Sequence, residues 1–160
     1  MMAVKKKFPY RAAVVACNGD CPASAGFRCR YGCVGCGNCA AVCKFDAVSL
    51  NKKGVAEVDE ERCIGCGMCV KACPQQVIHI HECANYIVVK CSNQDKGKDA
   101  REVCASSCIG CGICERTCTA EAIKVAENCA RIKESDCLSC GMCAVKCPRG
   151  AIADLRGVLT

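Results

Sequence analysis

The sequence predicts an α+β chain made of two pseudo-repeats, each organised around paired cysteine motifs and short β-hairpins. Three observations carry this. Cysteine accounts for 23 of the 160 residues, well above the level at which it dominates the structural argument. Aromatic residues supply only 4%, with no Trp, so the large side chains that normally fill a core are mostly missing and a conventional packed enzyme barrel is not expected. The cysteine pattern also recurs at an offset of 74 to 75 residues along the whole chain.

The repeat is read in the cysteines first. Cys17, Cys29, Cys33, Cys36, Cys39, Cys43, Cys63, Cys66, Cys69 and Cys73 correspond in order to Cys91, Cys104, Cys108, Cys111, Cys114, Cys118, Cys137, Cys140, Cys143 and Cys147. Only Cys21, Cys83 and Cys129 fall outside it. Between the runs lie short alternating segments. Ala47-Val48-Ser49-Leu50 and Val55-Ala56-Glu57-Val58 flank the turn signal Asn51-Lys52-Lys53-Gly54 and predict a hairpin. Val77-Ile78-His79-Ile80, Ala122-Ile123-Lys124-Val125 and Ala130-Arg131-Ile132 predict further strands, with a helical turn opening at the last cysteine of each run and leading into them. Residues 92–101 are polar and glycine-bearing and read as a connector or docking loop.

Four runs have the spacing C-x2-C-x2-C-x3-C, starting at Cys33, Cys63, Cys108 and Cys137. Three thiolates on one tight loop can cap three irons of a cubane, while the fourth ligates the cluster of a partner run, so such runs come in pairs. Crossing the fourth ligands gives four expected 4Fe-4S sites: Cys33, Cys36, Cys39 and Cys73; Cys63, Cys66, Cys69 and Cys43; Cys108, Cys111, Cys114 and Cys147; Cys137, Cys140, Cys143 and Cys118. Zinc also favours four thiolates, but its sites join two separate Cys-x2-Cys knuckles across about 15 to 20 residues, which these continuous runs do not provide.

Each unit thereby resembles a bacterial two-cluster ferredoxin, and the Cys73-Pro74 and Cys147-Pro148 endings match that family. The first and third runs depart from it, with Lys44 and Thr119 in place of the proline. A longer stretch is similar to the polyferredoxin region of the Rnf electron-transport complex B subunit. The matching residues are Cys17, Cys29-Arg30-Tyr31-Gly32-Cys33, Phe45-Asp46-Ala47, Cys91-Ser92 with Asp95-Lys96-Gly97-Lys98, and Cys104 leading into Cys108-Ile109-Gly110-Cys111. The resemblance implies tandem bacterial ferredoxin-like domains: an amino-terminal strand and extension with extra cysteines over 1–30, a first two-cluster domain over 31–82, a linker strand and polar loop with extra cysteines over 83–107, and a second two-cluster domain over 108–160. It also implies a multi-cluster electron conduit. The partners would be a flavin- or NAD(P)-dependent oxidoreductase subunit, a ferredoxin, or both, in a hetero-oligomeric complex.

Cys17, Cys29, Cys91 and Cys104 make a further set of four, two from each unit, and belong to the resemblance. Two readings stand: a fifth cluster at the junction of the halves, or thiols buried under the strands. Cys129 stands where the first unit has Val55 and is expected to be a small apolar filler, whereas Cys21 and Cys83 have no assigned role. Cys29-x3-Cys33-x2-Cys36 and its copy from Cys104 also match the signature of radical enzymes that cleave S-adenosylmethionine, an accidental match because their downstream cysteines already serve the ferredoxin runs. His79 and His81 alternate on a strand and are expected to face solvent.

The formal charge of +6 counts every Cys as a neutral thiol. Four cubanes would change it by about −8, so the basic excess reads as a counterweight to thiolate charge and not as a nucleic-acid surface. Lys5-Lys6-Lys7 and Lys96, Lys98, Arg101 are expected to be solvated, or to meet an acidic redox partner. The apolar run after Arg11 is too short for a signal peptide, which needs roughly 7 to 15 such residues, and no stretch approaches the roughly 18 of a membrane helix. The expected setting is a reducing cytoplasm, with no membrane span. No phosphate-cradling glycine motif and no nucleophile–base pair is visible. The expected function is single-electron relay, the alternative being an iron-sulfur enzyme whose substrate-binding cluster uses the cysteines outside the ferredoxin runs.

Overall fold

Short strands with apolar residues on one face need a partner to cover them, and here each finds one within its own half of the chain. The structure, a computed structural model, describes residues 10–21 and 29–159; Lys5, Lys6 and Lys7 lie outside the described residues. In the first half β1 (Arg11–Val15) pairs antiparallel with β4 (Ile78–Glu82), Ala13 opposite Ile80, and β2 (Val48–Leu50) pairs with β3 (Ala56–Val58) in the expected hairpin. In the second half β5 (Ile87–Val89) pairs with β8 (Ile152–Asp154), and β6 (Ile123–Ala126) with β7 (Cys129–Ile132). The internal repeat is therefore also a repeat of pairing, with β1 and β5 closing their own halves.

Each half has one small core. The first buries Ala12, Ala13, Val15, Val48, Val55, Val77 and Ile78 together with Cys39, Cys63 and Cys69. The second buries Ile87, Ile123, Ala130 and Ile152 with Cys91, Cys108, Cys114 and Cys129. Thiols thus occupy core positions that aromatic rings fill elsewhere.

Two expectations are corrected. The helical turns precede the last cysteine of a run and do not open at it: α1 (Asn38–Ala41), α2 (Met68–Ala72), α4 (Ile113–Thr117) and α5 (Met142–Lys146) carry the third cysteine. A glycine at positive φ starts each one, from Gly37 at 76° to Gly112 at 70°, a conformation that costs glycine little. In the second run Cys73 is extended at φ −79° and ψ 112°, as a residue before proline must be. Residues 92–101 are also not wholly loop, since α3 (Gly97–Val103) forms there with Ala100 fully buried.

The halves are stitched together by polar contacts. Ser92 Oγ donates to the Ala16 carbonyl at 2.8 Å, the Ala105 N–H donates to the Asp20 carbonyl at 3.1 Å, and Arg30 pairs with Asp95 at 2.8 Å. A groove of about 450 Å3 runs between them, lined in part by Val14, His79, His81, Arg131 and Glu134. The alternation at His79 and His81 does put both on the side of this groove; His79 is exposed there, as expected, but His81 is not. His81 is only 2% exposed, with Nε2 3.2 Å from Glu60 Oε1 and Nδ1 3.3 Å from the Asn85 carbonyl.

Candidate iron-sulfur sites

The turns that begin and end each run bend its cysteines around a small space, and the partner run supplies the fourth thiol. One cavity is lined by Cys33, Cys36, Cys39 and Cys73. A second has Cys63, Cys66, Cys69 and Cys43. In the second half Cys108, Cys111, Cys114 and Cys147 line a third, and Cys137, Cys140, Cys143 and Cys118 a fourth. These four groupings are the crossed sets expected from spacing. The thiols surround a space without converging on a point. Among the described residues, no three His, Cys, Asp or Glu side chains form a group that could hold a lone metal ion. A polynuclear group fits this donor set better than a single zinc.

Glycines set how closely the loops approach their neighbours. Gly35 has φ 66°, and a Cβ there would stand 2.5 Å from the Gly54 carbonyl oxygen; at Gly65, φ 70°, it would stand 2.8 Å from that of Arg11. This close seating lets strands aim amide hydrogens at sulfur: Ala13 N–H donates to Cys63 Sγ at 3.3 Å and Ala56 N–H to Cys33 Sγ at 3.5 Å. Such bonds stabilise thiolate charge. Burial acts the other way on the third cysteine of each run, raising Cys39, Cys69 and Cys114 and pushing Cys143 up to about 11. Metal must displace those protons, so metal affinity falls as pH falls. The second cysteine of every run (Cys36, Cys66, Cys111, Cys140) is the exposed one.

Cys17, Cys29, Cys91 and Cys104 also come together, at the junction of the halves. A Cβ at Gly32 would lie 3.4 Å from Cys17 Sγ and 3.6 Å from Cys29 Sγ. Burial raises Cys29, and the charges of Cys91, Cys17 and Cys104 add to the effect. Cys21 joins the group as a fifth thiol: burial, then its neighbour Cys104, push it up to about 12. Cys83 packs instead against the first core. Sequence reasoning missed Asn93, which is 1% exposed. Its N–H donates to Cys91 Sγ at 3.4 Å and its side-chain amide to Cys29 Sγ at 3.6 Å. Its signal was a polar residue two positions after a repeat cysteine, indistinguishable from an ordinary connector residue.

Comparison with known proteins agrees with this chemistry. The 4Fe-4S dicluster domain family matches residues 30–80 in one form and residues 62–122 and 107–151 in another. The B subunit of a Na(+)-translocating ferredoxin:NAD(+) oxidoreductase complex from Acetobacterium woodii is 46% identical over 69% of this chain and 33% of its own. The corresponding polypeptide of a proton-translocating complex from Clostridium ljungdahlii is 40% identical over 78% of this chain and 51% of its own. The equivalent component of an ion-translocating oxidoreductase complex from Methanosarcina acetivorans is 42% identical over 78% of this chain and 47% of its own. The chain thus spans about a third to a half of the length of these relatives, and no helix among its described residues is long and apolar enough to cross a membrane. With paired cysteine runs folded into four-thiol cavities and the family pattern running through both halves, the chain belongs to the 4Fe-4S dicluster ferredoxin family.

Proposed function

We propose that the chain relays single electrons through four 4Fe-4S clusters held by the crossed cysteine sets, with a fifth held by Cys17, Cys29, Cys91 and Cys104. The donor would be a ferredoxin or flavoprotein and the acceptor another oxidoreductase subunit of the same cytoplasmic assembly. The observation that carries this reading is that each crossed set of four thiols lines a single cavity. A bound cubane supplies a one-electron couple; the protein's part is to hold, insulate and connect such centres.

Connection is where the junction set matters. Cys91 Sγ accepts the Cys108 N–H at 3.2 Å, and Cys17 accepts a backbone hydrogen bond from Cys33. Each half thus touches the junction through the first cysteine of its first run. The order along the relay is then the Cys63 set, the Cys33 set, the junction, the Cys108 set and the Cys137 set. The exposed second cysteines of the two outer sets, Cys66 and Cys140, are the natural points of exchange with partners. A junction cluster with an open iron for substrate has less support, because Cys21 brings five thiols to that place.

Anaerobic reductive titration of the reconstituted chain tests both parts. Uptake of about five electrons, with about 20 iron atoms, is expected. An end point at about four electrons and 16 irons rejects the junction cluster, and no reversible uptake rejects the relay.

A further inference from the structure

The turn that closes the fourth run reaches back to the junction of the halves. Arg149, two residues after Cys147, is one of the side chains lining the cavity of the Cys108 set. Its Nη2 donates to the Cys104 carbonyl oxygen at 2.8 Å, and the carbonyl of the next residue, Gly150, accepts from Asn18 Nδ2 at 3.4 Å. The guanidinium therefore stands between the Cys108 cavity and a cysteine of the junction set, where the two halves meet. Its Nε is buried without a hydrogen-bond partner, and no carboxylate pairs with it among the described residues. A buried cationic N–H is costly without a counter-charge, and thiolates around the cavity it lines are a source of one.

We propose that Arg149 is a positioning residue of the relay: its charge raises the potential of the Cys108 cluster above that of the Cys33 cluster and so biases the step across the junction toward the second half. In that step one electron leaves the reduced Cys33 cluster, which is oxidised, and reduces the Cys108 cluster. The two sets are twins by the internal repeat, and Gln75 occupies the equivalent place, two residues after Cys73, lining the Cys33 cavity. One twin thus has a cation in its wall and the other a neutral amide. Reduction adds a negative charge to a cluster, and a positive charge close by favours that state, which raises the potential. Arg149 is half-buried, so its charge is less screened than one on an exposed side chain. The bond to the Cys104 carbonyl holds the guanidinium in the wall instead of letting it swing into solvent.

This inference rests on the proposed clusters of the Cys33 and Cys108 sets. Absence of either centre from the unaltered chain, read as fewer than about 16 irons, overturns that reading and this one with it; full iron with potentials that ignore the charge overturns only this one. The test compares the full, reconstituted chain with Arg149→Gln, which copies the first half, Arg149→Lys, which keeps the charge, and Gln75→Arg, which gives the first half the cation. Redox titration followed by electron paramagnetic resonance reads the potential of each centre, assigned from the signals that change in Cys36→Ala and Cys111→Ala chains. In the unaltered chain the Cys108 centre is expected above its twin. Arg149→Gln is expected to lower it at full iron content, Arg149→Lys to hold it, and Gln75→Arg to raise the Cys33 centre, so that either change of charge narrows the gap. An unmoved Cys108 centre in Arg149→Gln overturns the proposal, as does a Lys variant displaced as far as Gln, or a Cys108 centre at or below its twin in the unaltered chain. If Arg149→Gln loses iron, Gln75→Arg decides, and a Cys33 centre that does not rise there overturns the proposal.

Discussion

At the scale of single residues, what distinguishes the four cavities is the group that follows the last cysteine. Pro74 and Pro148 close two of the runs, while Lys44 and Thr119 follow Cys43 and Cys118. Lys44 stands next to a thiol of the Cys63 set, and a positive charge there favours the more negative, reduced cluster. Lys44→Glu should therefore lower the potential of that cluster and leave the Cys108 and Cys137 sets unmoved in the same redox titration; an unchanged value would remove the charge argument. The grouping of thiols around the four cavities was legible because the spacing puts three on one short loop and sends the fourth, four residues on, to the partner run. Asn93 was not legible, because a buried amide aimed at two sulfurs and a solvated one in a connector have the same letters around them. His81 failed for a related reason: period-two alternation tells which residues share a side, but not whether another half of the molecule covers it.

At the scale of elements, hairpins were readable and helices were misplaced. Asn51 Oδ1 accepts from the N–H groups of Lys53 and Val55, so the turn between β2 and β3 is held by the residue that signalled it. The helices are four or five residues long inside each run, too short for any apolar periodicity, and their start is set by glycine conformation and cluster geometry. Strands and loops depend on each other through close contacts such as Gly65 against β1. Gly65→Ala places a side chain on a φ of 70° and drives its Cβ to 2.8 Å from the Arg11 carbonyl oxygen and 2.9 Å from Arg11 Cβ. The positive φ alone costs about 1 kcal/mol or more, and displacing β1 removes the Ala13 N–H from Cys63 Sγ. The expected outcome is a chain that loses about four irons, those of the Cys63 set, and melts earlier. Full iron content at wild-type thermal stability would show that the loop does not need this seat. The fourth run tolerates Ser139 at the equivalent place, at φ 51°, because its hydroxyl reaches Asn85 Oδ1 at 3.3 Å instead of meeting a strand backbone.

At the scale of the whole molecule, the described residues are held together by two cores of mostly small aliphatic residues and thiols. Chains with so little apolar bulk need a staple, and here the staple carries charge. Metal-free, the chain has a formal charge of +6 at pH 7. Each oxidised cubane adds about +2 and converts four neutral thiols to thiolates, a net change of about −2 per site, so four sites bring the protein to about −2 and five to about −4. Loading of all four proposed sites would therefore reverse the sign of the molecule, with the Lys and Arg residues softening the repulsion between closely spaced thiolate clusters. Anaerobic native electrophoresis at pH 7 should send the loaded protein toward the anode. Chelation of its iron should send it toward the cathode, with loss of native-like circular dichroism in the same sample. Loaded protein that still migrates as a cation would mean that far fewer thiols are deprotonated than the crossed sets require, and a chelated chain that keeps its cooperative fold would mean that the aliphatic cores suffice without metal.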